Sequence, residues 1–279
     1  MSPGHNAGVT TADGVDAITV GGVGAITTGG VGAITVGGVG AITAGGVGAI
    51  VTGGAGGIGR AVLTRLAAGC FSPISWDLLP NDSASLSLTV DVTNETSLAW
   101  AASRTAAIGP IGVLIVNAGI LGPVARVWEL DPNEIRRVIE TNLTSAFLTL
   151  RAVVPLMLAN AGPDRGRIVL MSSVQAKEGT ALSGPYGAAK AGLIALTKTL
   201  SKELAEHGIL VNAITPTVVR TAMEQSITSE RRADLLSRIP LGRFAEPEEV
   251  AAMVAFLCGP DCRFSTGAVF DLSGGRATS

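Results

Sequence analysis

Apolar positions near the start of the chain recur in blocks of eight. The blocks are GGVGAITT at Gly21–Thr28, GGVGAITV at Gly29–Val36, GGVGAITA at Gly37–Ala44 and GGVGAIVT at Gly45–Thr52. Only the fourth copy runs into different text, GGAGGIGR at Gly53–Arg60. From there on, short apolar runs alternate with longer amphipathic stretches, the pattern of strands alternating with helices. The runs predict strands at Val47–Thr52, Pro73–Trp76, Ser87–Val90, Gly112–Asn117, Arg167–Ser172, Leu210–Ile214 and Ala268–Leu272. The amphipathic stretches predict helices at Arg60–Ala68, Asn94–Ile108, Pro132–Leu158, Tyr186–His207 and Pro247–Leu257. Asp131 before Pro132 is a good helix start, Asp as N-cap and Pro at the first position. Near-continuous apolar strands suit a parallel sheet covered on both faces, so the expected class is α/β, a doubly wound parallel sheet. No internal linker interrupts it, which makes 46–279 one domain and 1–45 a low-complexity extension.

The repeat changes this picture little. Ala17–Gly59 carries no charge, as a membrane span might, but glycine fills more than a third of it and costs a helix about 1 kcal/mol each. No Lys or Arg flanks its N-terminal side, so no oriented span or signal peptide is expected. A period of eight matches no helical repeat. Two readings stay open: a disordered or irregular extension without a catalytic part, or a small extra sheet or assembly segment, since such windows are prone to β-pairing.

The 279 residues are 47% apolar and 15% charged, enough for a sizeable core. A net charge of −2 offers no basic footprint for nucleic acid or anionic lipid. Three cysteines, Cys70, Cys258 and Cys262, show no disulfide framework and fit a reducing, cytoplasmic setting. Cys258 and Cys262 have no third or fourth ligand nearby, and His5 and His207 form no cluster, so no metal site is expected.

The first candidate chemistry follows the fourth repeat: strand, glycine-rich turn, helix. Gly53 permits a tight turn, Gly57 lets backbone approach a pyrophosphate, and Gly59 lets helix pack on strand. The helix start adds N–H groups and a partial positive charge for the phosphates. Asp77 closes the second strand, where a carboxylate can bond both ribose hydroxyls of adenosine. No Lys or Arg lies between Arg65 and Arg104 to compensate a 2′-phosphate, which argues for NAD over NADP.

Further on, Tyr186 and Lys190 stand four apart in YGAAK, on one helix face. Ser173 ends the fifth strand, Asn142 lies in the long helix before it, and Asn117 and Gly119 belong to the NAG ending the fourth strand. With TGGAGGIG (Thr52–Gly59) and DVT (Asp91–Thr93), in this order, the chain from about Val47 onward resembles the short-chain dehydrogenase/reductase family, whose fold is Rossmann-type. The resemblance implies catalytic Asn142, Ser173, Tyr186 and Lys190. It implies a dinucleotide held by Thr52, Gly53, Gly57, Ile58, Gly59, Asp77, Asp91, Val92, Asn117, Gly119, Tyr186, Lys190, Pro216, Val219 and Thr221. Ile58 then borders the phosphates, Asp91 and Val92 the adenine, and Val219 and Thr221 the nicotinamide end. The family has Pro-Gly where this chain has Pro216-Thr217, which puts the shape of that loop in question.

The chemistry is arguable without the family. Oxidising an alcohol needs a hydride acceptor and a base, and a free phenol's pKa of about 10 is too high for one. The Lys190 ammonium and a positive nicotinamide would both favour phenolate. Ser173 can hold the substrate oxygen, Lys190 the nicotinamide ribose, and Asn142 a water that carries the proton out. SVQAKEG after Ser173 and the ending GAVFDLSGGRATS resemble family members acting on deoxy-keto sugar acids, such as 2-keto-3-deoxy-L-rhamnonate or L-fuconate 4-dehydrogenases. Ser173, Gln175 and Lys177 become substrate candidates, with Lys177, Arg126 and Arg220 as cations for an anionic group. The expected function is NAD-dependent oxidation of a secondary alcohol on a small polar molecule of sugar-acid or polyol type; the alternative is a 3-oxoacyl-thioester reductase. The family also implies a homo-oligomer, tetramer or dimer.

Overall fold

The computed structural model describes the main chain at 9–12, 15–20, 23–28, 33–36, 39–43, 46–69, 71–225 and 228–277, and side chains from residue 46 onward save those of Met223 and Gln225. The segments before residue 46 run as strands of an antiparallel meander. The residues between them and all their side chains, on which the expectation of an irregular extension turns, lie outside the described residues, as does Cys70.

The main sheet has seven parallel strands: β1 (Val47–Thr52), β2 (Phe71–Asp77), β3 (Leu86–Thr89), β4 (Ile111–Val116), β5 (Gly166–Met171), β6 (Ile209–Pro216) and β7 (Val269–Leu272). Their order is β7-β6-β5-β4-β1-β2-β3. The fourth repeat is thus a central strand, paired with β2 from Val47 opposite Phe71 to Thr52 opposite Trp76, and with β4 on its other edge. The chain builds outward from β1 in one direction, then returns to build from β4 in the other. Between β1 and β4 the order reverses, and at such a point open α/β sheets bind ligands beyond the strands' carboxyl ends.

Alternation along β1 shows why the apolar runs are continuous. Ala49 and Val51 pack with Val62, Leu63 and Leu66 on one face, beneath helices α1 (Gly57–Ala67) and α9 (Pro247–Cys258). Ile50 packs with Val153, Leu193 and Leu114 on the other, beneath α2 (Glu95–Ala106), α4 (Ser145–Leu158) and α6 (Gly184–Leu204). Both faces are covered, so both alternating sets must be apolar. Each fully buried Ile or Leu contributes about 1.5–3 kcal/mol relative to exposure. Trp76 is fully buried, yet its Nε1 donates to Thr105 Oγ1 at 3.2 Å, tying β2 to α2.

The expected Asp131 cap forms, its carboxylate accepting from Asn133 N at 2.8 Å, with Pro132 in the first turn. The long helix it starts is not continuous. A π-turn at Glu140–Thr144 separates α3 (Pro132–Ile139) from α4. Pro132–Leu158 is long and apolar enough to cross a membrane by length and composition; here Ala146, Leu150, Val153 and Met157 bury against the sheet. Three helices stand where the sequence pattern predicts none: α5 (Gln175–Glu178), α7 (Ala222–Gln225) and α8 (Ser229–Ser237). Two are single turns, and α8, with four charges in nine residues, buries only Leu235. Neither leaves a periodic apolar signature.

Candidate active site

The glycine turn is fixed by its neighbours. Gly53 takes φ +65°, and a Cβ there would press on the Ala118 backbone at 2.9 Å. A Cβ on Gly59 would collide with Gly53 O, so the first turn of α1 packs directly on the glycine turn. A Cβ on Gly57 would reach Thr221 Cγ2 at 2.6 Å, so the turn touches the loop after β6. Thr52 Oγ1 accepts from Asn117 N at 2.9 Å and Ala118 N at 3.1 Å. Asn117 Nδ2 returns bonds to Thr52 O at 3.0 Å and Gly53 O at 3.1 Å. Two sequence-distant candidate segments therefore form one hydrogen-bonded unit. The N-cap of α1, Gly56, has no side-chain cap, and no acidic residue lies in the first turn. This leaves the helix start, with partly buried Ile58, suited to phosphate.

Asp77 lies beside that turn. Its Oδ2 accepts from Ala55 N at 3.0 Å and its Oδ1 from Leu79 N at 2.9 Å. Buried Asn81, which the sequence reading missed, donates from Nδ2 to Gly54 O and so props the turn from behind. Nothing in the sequence marks that asparagine; only the fold brings it there. Asp91 is exposed and accepts from Thr93 N at 2.9 Å, while Val92 is buried beside it.

Catalytic candidates meet at the ends of β4 and β5. Lys190 is 4% exposed and donates from Nζ to Met171 O at 2.8 Å. Ser172 Oγ donates to Lys190 O at 2.8 Å, pinning α6 to β5. Lys190 Nζ stands 5.7 Å from the centroid of the Tyr186 ring, and the Ser173 hydroxyl lies against the phenol. A Cβ on Gly119 would sit 2.5 Å from Asn142 Oδ1 and 3.3 Å from Lys190 Nζ, which joins NAG to the same cluster. Asn142 occupies the π-turn, 1% exposed. Its Oδ1 accepts from Ile120 N at 3.1 Å, and its Nδ2 donates to Ile120 O at 2.9 Å and Val138 O at 2.8 Å. Both donors are committed, so a water held by Asn142 would use Oδ1 or the main chain.

In the protein alone, burial raises the Tyr186 pKa from its ordinary value of 10, and the neighbouring Ser173 hydroxyl only partly opposes this. Burial also lowers Lys190 to about 8, which weakens the ammonium as a source of phenolate stabilisation.

On the substrate side, Val174 N donates to Pro216 O at 2.9 Å and Thr217 N to Leu272 O at 3.2 Å. Among the described non-glycine residues only Leu182 has positive φ, at +68°. Thr217 therefore takes a backbone open to any residue, and the loop does not need the family's glycine. Its Oγ1 is buried without a partner. Val219 bridges to Ala245. Strained Leu182 accepts from Ala125 N at 3.2 Å at the head of α6. The three expected cations are all paired: Lys177 with Asp271 at 3.3 Å, Arg126 with Glu129 at 3.6 Å and Arg220 with Glu246 at 3.4 Å. Gln175 Oε1 and Thr180 Oγ1 are buried without partners beside Ser173's helix.

Comparison with known proteins bears directly on this arrangement. A family model described as enoyl-(acyl carrier protein) reductase matches residues 77–277. The chain is 40% identical over 231 residues, 80% of its length and 92% of the relative's, to the 2-dehydro-3-deoxy-L-rhamnonate dehydrogenase (NAD(+)) of Sphingomonas sp. (strain SKA58). The chain belongs to the short-chain dehydrogenase/reductase family. Another family member, the cis-4-hydroxycyclohexanecarboxylate dehydrogenase of Sinomonas cyclohexanicum, is 41% identical over 186 residues, 66% of this chain and 74% of the relative. Among solved structures, the 3-ketoacyl-(acyl-carrier-protein) reductase of Brucella melitensis complexed with NADH superposes with a TM-score of 0.77 at 27% identity, covering 83% of this chain and 98% of that one. The seven-stranded parallel sheet is thus the fold of this oxidoreductase family.

Proposed function

We propose that this dehydrogenase oxidises a secondary alcohol of a small polar substrate, of sugar-acid or polyol type, with NAD. The observation that carries the reading is the meeting of Ser173, Tyr186, Lys190 and Asn142 at the ends of β4 and β5, beside a glycine turn backed by Asp77. The relative from Sphingomonas supports the substrate class.

NAD, when bound, supplies the acceptor for the carbinol hydride. Thr52, Gly53, Gly57, Ile58, Gly59, Asn117 and Gly119 would hold it along the turn, Asp91 and Val92 at the adenine, and Pro216, Val219 and Thr221 at the nicotinamide end. Asp77 would bond the adenosine ribose and repel a 2′-phosphate. Ser173 holds the substrate oxygen in line with the phenol of Tyr186. Tyr186 first releases its own proton toward Lys190 and the Asn142 turn; its phenolate then takes the hydroxyl proton as the carbinol carbon gives up its hydride and becomes a carbonyl. Lys190, buried and fixed by Met171 O, orients that relay.

A second reading is a 3-oxoacyl-thioester reductase, favoured by the Brucella structure and the matched family model. Against it stands the higher identity to the Sphingomonas relative, 40% against 27%; the cofactor does not separate the two readings, since the Brucella reductase is complexed with NADH. One experiment separates them: initial rates with NAD and NADP across sugar acids, polyols and 3-hydroxyacyl thioesters. Turnover of a sugar acid or polyol with NAD supports the first reading. Turnover confined to thioesters, with either cofactor, overturns it.

A further inference from the structure

The two segments set apart in the sequence, SVQAKEG after Ser173 and DLSGGR near the C-terminus, interlock in the fold. From the first comes α5, continuous with Ser173: Gln175 N donates to Ser173 Oγ at 3.2 Å and Ala176 N to Ser173 O at 3.0 Å. The second segment leaves β7 and turns back. Asp271 Oδ1 accepts from Ser273 N at 2.9 Å, and Ser273 Oγ accepts from Ala277 N at 2.9 Å. Gly274 and Gly275, at φ +66° and +87°, bend the chain against Ile239 and Pro240, where side chains would press at 2.9 Å and 3.1 Å. The bend returns Arg276 to α5. Its Nε donates to Glu178 Oε2 at 3.0 Å and its Nη2 to the same oxygen at 2.8 Å. The Arg276 side chain is 3% exposed, against 28% for Glu178. Lys177, the neighbouring residue, pairs with Asp271 at 3.3 Å. Asp234 of α8 also feels the charge of Arg276.

We infer that Arg276 is a positioning residue for the reaction: by gripping Glu178 it sets α5, and with it the place of Ser173 and the uncommitted side chains of Gln175 and Thr180. The inference rests on the proposed alcohol oxidation only in that Ser173 holds the reacting oxygen. The grip is needed because α5 is a single turn, too short to hold its own position. A planar guanidinium with two donors fixes an orientation that one ammonium cannot.

The test compares R276Q, R276K, E178Q and the double variant E178Q/R276Q with the unmodified chain. The best alcohol from the substrate panel is used, whatever its class. Expected is a fall in kcat/KM of roughly 10–100-fold for R276Q and E178Q, as for a small misplacement of reacting groups. NADH affinity stays within about twofold, R276K recovers part of the loss, and the double variant is no worse than the worse single one. A second readout needs no substrate. Tyr186 is the chain's single tyrosine, so ultraviolet absorbance reports its phenol alone. Loosening Ser173 in R276Q should move that titration further up. R276Q that is folded, with unchanged kcat/KM and unchanged phenol titration, overturns the inference, and so do losses that add in the double variant. If R276Q does not fold, E178Q and R276K decide the matter by the same readouts. An enzyme that oxidises no polar alcohol sinks the functional proposal and leaves the titration test of Arg276 standing.

Discussion

The Tyr186 phenolate is the proton acceptor in the proposed reaction, whereas burial favours the neutral phenol when the protein stands alone. Two outcomes follow at this scale. In the free protein the midpoint of the tyrosinate absorbance should lie above that of free tyrosine, and saturating NAD should shift it downward, since a positive ring favours phenolate. A midpoint at or below that of free tyrosine would contradict the burial argument. Tyr186→Phe deletes the acceptor with little volume, so NADH binding should persist while turnover falls about 10²–10⁴-fold. Asp77 governs the cofactor: Asp77→Ala with Leu78→Arg removes the repulsion and adds a cation at an exposed position, 65% accessible. Steady-state kinetics should register weaker NAD use and new NADP turnover. Part of the NAD loss comes from the turn itself, because Ala55 N loses its acceptor.

At the scale of elements, the π-turn between α3 and α4 is a joint. Asn142 bonds both main-chain groups of Ile120 from within it and thereby holds the loop after β4 beside Lys190. Asn142→Ala strands those groups and Val138 O, at about 1–3 kcal/mol for each that stays buried and unpaired. The expected result is a lower Tm together with lost turnover. Gly119→Ala probes the same joint from the other side. Its Cβ would push on Asn142 Oδ1 at 2.5 Å, so activity should fall more than stability does, as measured by kcat against the urea midpoint. The sequence pattern reads α3 and α4 as one helix because the chain stays helical through the π-turn, which has no residue signature of its own. Asn142 was legible as a site residue. That it is a joint was not, since hydrogen bonds to Ile120 depend on where the loop after β4 lands.

For the whole molecule, β1 is the last of four near-identical copies, and only this copy continues into the glycine turn and α1. A chain beginning near Gly45 should fold, bind NAD and turn over like the full chain, because the seven strands and both helix layers lie beyond it. It should also aggregate less, since uncharged V, I and T segments are candidates for pairing between chains. Size-exclusion chromatography and NAD titration of both forms check this. A shortened chain that cannot fold would assign the earlier copies to the core.

Local order was written in the sequence. The apolar runs marked all seven strands of the main sheet to within two residues at each end, because a strand buried on both faces must be apolar throughout. Asp131-Pro132 marked a helix start, because a cap acts on its own first turn. The glycine turn, Asn142, Ser173, Tyr186 and Lys190 stood out as candidates because the proposed chemistry demands particular residue types at particular spacings, and the fold brings them together. Tertiary structure alone decided the rest. Asn81 beneath the turn, Ser172 on α6 and Arg276 on Glu178 are ordinary polar residues until chain segments up to 98 residues apart meet. The direction of the Tyr186 shift was also decided there. It depends on how deeply the packed helices bury the phenol and its lysine, and burial is a property of the assembled sheet and helices.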